Sequence, residues 1–148
     1  MSVYKRGIGD QGISHFPKKF VTLYASAACT EGYFVSIDGG DSTNGLGGSV
    51  RNAELGASNQ GNALTIGVAT HSAAAGEEVV VQVAGKYENA FVNASCDEGL
   101  PMTGPIAGET IGQTSMLAET TFGAVIAVGL EADTGNLADV MIVNQGFF

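Results

Sequence analysis

Two histidines, two cysteines and fifteen carboxylates are the side chains with which this 148-residue chain could do acid–base, nucleophilic or metal chemistry, and their spacing serves none of these. His15 and His71 stand alone near turns, with no GxSxG elbow to supply a nucleophile, so neither reads as a general base. The adjacent carboxylates Glu77-Glu78 and Asp97-Glu98 invite a paired-acid reading. On extended backbone, however, neighbours point to opposite faces, so neither pair shares a site. Cys29 and Cys96 lie far apart, with no CxxC or Cys/His ligand spacing. Two buried free thiols is the plain reading, since free cysteine packs as a small hydrophobe; a disulfide is the alternative.

Three Gly-rich stretches mimic ligand loops. Gly7-Ile8-Gly9-Asp10-Gln11-Gly12 matches GxGxxG, but a dinucleotide needs that motif between a strand and a helix N-terminus, and neither neighbour is expected here. Gly85-Lys86 ends like a P-loop, yet Tyr87 stands where Ser or Thr should hold magnesium, and the first glycine of the motif is missing. Asp38, Asp41, Ser42 and Asn44 gather oxygen donors in one loop and are weak candidates for calcium; the order departs from the EF-hand, without a bidentate Glu at the required distance. The expectation is a chain without catalytic residues, cofactor or resident metal.

The elements that would carry these residues are strands. Val79, Val81 and Val83 alternate with Val80, Gln82 and Ala84 at the two-residue period of a pleated strand, and Leu64–Ala69 precedes them across an Ala-rich, Gly76-punctuated turn. Further strands are expected at Phe20–Ala25 and Tyr33–Ile37, joined across Thr30-Glu31-Gly32, at Phe122–Leu130, and at Asp139–Val143 after the Asp133-Thr134-Gly135-Asn136 turn. Ala90–Ala94 reads as another short strand and Thr114–Glu119 as a short helical turn. Asp38–Gly48, with five glycines in eleven residues, reads as a long exposed excursion. Glu98–Thr114 is too broken by Pro and Gly for a helix. The fold class is all-β, one β-sandwich or β-barrel-like body (20–148) preceded by an extended arm (1–19).

Composition bounds the rest. The 45% hydrophobic fraction is reached mainly with Ala and Val, aromatics are 7% and Trp is absent, so the core should be thin. Only 14% of residues are charged, which suits a surface covered by partner subunits. Four basic residues and one acid in the first twenty positions give that segment +3; the other two basic and fourteen acidic residues give the remainder −12. An acidic body repels phosphate, so no nucleic-acid partner is expected. With no apolar run long enough to cross a bilayer and no signal-peptide pattern, neither a membrane partner nor export is expected, and the chain reads as folded in a cytoplasm. The arm spends Tyr4, Lys5, Arg6, Phe16, Lys18 and Lys19, aromatic and basic residues suited to another acidic protein surface. Phe147 and Phe148 form an apolar end suited to a subunit interface.

Ile66-Gly67-Val68-Ala69, then Ala73-Ala74-Ala75-Gly76-Glu77, then Val79 to Gly85 form a strand, turn and strand unit. With the Gly123 to Leu130 run, Glu131-Ala132 and the terminal strand, the chain resembles the phage head-decoration, or capsid cement, proteins over residues 20 to 144. That resemblance implies a β-rich domain, commonly a homotrimer. It would be made in a host cytoplasm and sit on the virion's capsid exterior, where it bridges capsomers of the major capsid protein. The arm residues would then touch capsid or neighbour, and Phe147 and Phe148 a subunit. The long arm and the Asp38–Gly48 loop depart from the shortest family members. The competing reading is a carbohydrate- or receptor-binding β-domain using the Asp38–Asn44 loop, although that loop has no aromatic platform and the chain has no Trp.

Overall fold

The computed structural model describes residues 17–39 and 48–143. All of the regular structure there is β. The elements are β1 (Lys19–Ala25), β2 (Phe34–Ile37), β3 (Ser49–Asn52), β4 (Thr65–Ala69), β5 (Glu78–Phe91), β6 (Pro101–Thr103), β7 (Ser115–Met116), β8 (Ala127–Gly129) and β9 (Leu137–Ile142). Strands β1-β3-β2-β4-β5 are hydrogen-bonded in that order and β5 pairs back onto β1, so the five close into a barrel. Outside it, β9, β8, β6 and β7 continue the order from β5 as a second sheet.

One strand serves both. The 14 residues of β5 contribute Glu78–Ala84 to the barrel and Gly85–Phe91 to the pairing with β9. The changeover falls at Gly85, whose φ of +95° suits only glycine and whose missing Cβ would lie 2.9 Å from the Lys18 Cα. The chain thus enters the barrel over the point where β5 leaves it. Val79, Val81 and Val83 face inward with Ala25, Cys29, Val35, Val50, Ile66, Ala69 and Ala73, filling the barrel with small branched side chains. A second core lies between the outside of β2 and β4 and the outer sheet. Phe34, Val68 and Ala53 meet Ala90, Val92, Cys96, Met102, Ile126, Ala127, Ala138, Val140 and Ile142 there. A thin, Val- and Ala-rich interior is what the composition predicts, and it is split in two.

The differences from the sequence reading have local causes. Ala90 and Phe91 are not a separate strand but the end of β5, carried past a bulge between Tyr87 and Ala90 at which Asn89 takes a φ of +58°. Thr114–Glu119 holds no helical turn: Ser115–Met116 is the edge strand β7, paired to β6. Only Ala127–Gly129 of the expected Phe122–Leu130 strand pairs as one. Asp38–Gly48 is the connection of the β2–β3 hairpin. Its near end is not exposed, since Asp38 is buried and its N–H donates to the Ser49 carbonyl at 3.0 Å. The Gly135-Asn136 turn is as expected: both residues have positive φ, the two-residue turn whose twist matches a hairpin, and it starts β9.

Candidate functional site

The sequence-predicted contact residues fall unevenly on the structure. Tyr4, Lys5, Arg6 and Phe16 lie outside the described residues, as do Phe147 and Phe148 and the loop residues Asp41 and Asn44. Lys18 and Lys19 are exposed, and Lys19 is already the first residue of β1. They open a row that sequence reasoning passed over. Beyond Lys18, Phe20, Thr22 and Tyr24 follow at strand spacing on the outside of the barrel, with Phe20 53% and Tyr24 45% exposed. Their neighbours on β1, Val21, Leu23 and Ala25, turn inward to the barrel core. The alternation was legible; that the polar-looking face carries two aromatics was the unused signal.

Asp38 does not stand ready for a cation. Its Oδ2 accepts from Arg51 Nε at 3.1 Å and from Nη2 as well, and Arg51 Nη1 reaches Glu54 Oε1 at 3.3 Å. Asp38, a weak calcium candidate in the sequence, is thus held by a guanidinium that β3, the strand that the sequence hid, brings to it. Arg51 also borders a shallow cleft of about 210 Å³ with Ala27, Ala28, Asn52, Glu54 and Ile111. Its polar groups are engaged: Arg51 with Glu54 inside the cleft, and Asn52 with Thr30 outside it, in hydrogen bonds of 3.0 and 3.2 Å. Nothing converges on a ligand there.

His71 is likewise occupied. The Val80 N–H donates to its Nε2 at 3.1 Å, so that nitrogen must be unprotonated, and Nδ1–H donates to the Ser72 carbonyl at 3.1 Å. The ring pins the β4–β5 connection to the strand after it. Glu77 turns its Oε1 back onto the Ala74 N–H at 3.1 Å, capping the same turn. Among the described residues no group of three His, Cys, Asp or Glu is placed to hold a metal ion.

Cys29 and Cys96 are free and buried, Cys29 in the barrel core and Cys96 in the second core, so the disulfide alternative is not realised. Burial pushes the Cys29 thiol up to about 11. Burial also raises Cys96, with Asp133, Asp97 and Glu131 adding to it, and raises Tyr87, beside Glu31. These thiols are poor nucleophiles. The unfolded Cys29 thiol ionises near 9.0 while the folded one holds its proton to about 11, so its contribution is intact below pH 9 and is lost as pH climbs through that window. Wild type is expected to lose ~2 kcal/mol more than Cys29→Ala between those limits. Urea midpoints for both proteins across that range measure it; parallel curves would mean that the thiol is solvated.

No protein-family model matches this chain, and no curated protein matches it. A solved structure does match in fold. It is the head fiber gp8.5 N base of bacteriophage phi29, with a TM-score of 0.53 and 14% identity, covering 89% of this chain and 99% of that one. The two share an architecture across nearly their whole length. At that identity the likeness concerns the fold, an all-β barrel with further strands outside it.

Proposed function

We propose that this protein is a structural component of a phage virion, and more finely a decoration or cement protein. In this reading it binds the outer surface of an icosahedral head as a homotrimer, with the major capsid protein as partner and without catalytic activity. The observation that carries the reading is the fold likeness over 89% of the chain to a protein described as a phage head fiber base. The chemistry accords with it. The polar side chains of His71, Asp38 and Glu77 hold the loops and turns around them. The exposed aromatics and lysines on the barrel wall, Lys18, Lys19, Phe20 and Tyr24, suit association between proteins. Repetition over a shell multiplies such contacts, so each can be modest while the assembly is locked.

Within this reading Tyr4, Lys5, Arg6, Phe16, Lys18 and Lys19 are the capsid or neighbour contacts and Phe147 and Phe148 a subunit contact. The test is co-sedimentation of the purified protein with undecorated phage heads. Removing residues 1–16 spares β1 and its pairing with β5, and should weaken head binding at least about tenfold, ~1.4 kcal/mol, with the melting midpoint unchanged. Undiminished binding would remove the arm from the proposal. Failure of the full chain to bind heads would sink the decoration reading itself.

A further inference from the structure

The outer face of β1 is a stripe with a charge order. Lys18 and Lys19 stand at its start, Phe20, Thr22 and Tyr24 run along it, and Glu78 of β5 lies beside Tyr24 at its far end. Val80, half-buried, flanks Thr22 from β5. Both lysines and Glu78 are exposed, and none of the three has an ion-pair partner among the described residues. From Phe20 to Tyr24 the apolar part spans about 13 Å at ordinary strand rise. A surface that is basic at one end, aromatic in the middle and acidic at the other complements itself when turned end for end.

We infer that this stripe is the contact between two copies of the chain related by a twofold axis passing at Thr22. That axis lays Phe20 of each copy against Tyr24 of the other, because both lie two residues from Thr22 and on the same face. It also brings each copy's lysine end to the other's Glu78, so two opposite-charge contacts form for one apolar seam. This is the arrangement an isologous interface requires. A parallel arrangement about a threefold axis would set lysines on lysines and Glu78 on Glu78, which costs free energy at both ends. The stripe is therefore not the contact that would build a trimer; it joins copies across a twofold axis, in addition to any trimer contact. The inference stands on the order of charges and not on the virion reading.

Charge reversal tests it in the purified full chain. The Lys18→Glu/Lys19→Glu variant and the Glu78→Lys variant should each sediment at half the wild-type mass. The variant carrying all three changes should return to the wild-type mass, since both ends of every contact change sign together. These positions are exposed, so the fold is not at stake. Independently, Thr22→Cys should cross-link copies in pairs on mild oxidation, the two native thiols being buried. Equal masses for all four proteins, a combined variant that stays halved, or no paired product from Thr22→Cys would overturn the inference. So would a Phe20→Glu variant of unchanged mass that no longer binds phage heads, because the stripe would then face the head.

Discussion

Replacing Gly67 with alanine should destabilise the chain by more than about 3 kcal/mol, the upper end of what an added methyl group does in a packed interior. The reason lies in how β4 meets its neighbours. β2 pairs with β4 at Val35↔Gly67 and then at Ser36↔Thr65, so Ile66 is an extra residue on β4, a bulge. The bulge tips Gly67 toward β5, and a Cβ there would overlap the Gln82 carbonyl oxygen and crowd its carbonyl carbon and Val81 Cγ1. Two of those three atoms are backbone in the strand that closes the barrel. They could retreat only by opening the β4–β5 ladder at Val68↔Gln82. In a five-strand barrel one opened seam exposes the whole inner core, so the cost falls on global stability. Gly76→Ala is the control. Its φ of +89° is strained for alanine, but a Cβ there meets nothing within 4 Å, so about 1 kcal/mol is expected. Urea midpoints of the two variants and wild type decide the matter: equal losses would mean that β5 gives way to the added methyl and that the close approach to Gln82 is not what requires glycine at position 67.

That contrast also marks where the sequence is legible. The period-two run in Val79–Ala84 identifies β5 because its inner residues are all valine and its outer ones are not, and the Gly135-Asn136 pair announces its turn by composition. β3 escapes because Ser49-Val50-Arg51-Asn52 has one apolar residue, and what makes it a strand is pairing with β2 and β1 on either side. β6 begins at Pro101, tolerated at a strand start though it reads as a breaker. Glycines mislead in another way. Gly61, Gly104 and Gly123 look like loop punctuation, yet a Cβ on any of them would collide with Thr103 or Thr65, so they are glycine to let loops pack closely. Such requirements come from the partner surface, which no local pattern encodes. The candidate site was half legible for the same reason: lysines at 18 and 19 are visible in the chain, but Glu78 joins them only through the β1–β5 register.

Phe34→Ala should cost about 3–5 kcal/mol, the range for emptying an aromatic from a rigid core. Phe34 opens β2 with its ring fully buried on the outside of the barrel, where it fills the space between β4 and the outer sheet. Its neighbours there are mostly Ala, Val and Ile, short or β-branched side chains with little rotamer freedom to move into the void. The thin core that composition forces on this chain thus makes Phe34, the one fully buried aromatic among the described residues, unusually hard to replace. The loss should appear in a single transition. Although the barrel and the outer sheet have separate cores, β5 is a strand of both, and Phe34 itself donates its N–H to Gly112 and accepts from Ala53 outside the barrel ladder. Neither part can unfold without taking β5 from the other. Coincident urea curves from tyrosine fluorescence and far-ultraviolet circular dichroism, displaced to a lower midpoint with an unchanged slope, are the expected result. A biphasic curve in Phe34→Ala would show instead that the barrel persists alone once the joint is emptied, and that β5 does not couple the two cores.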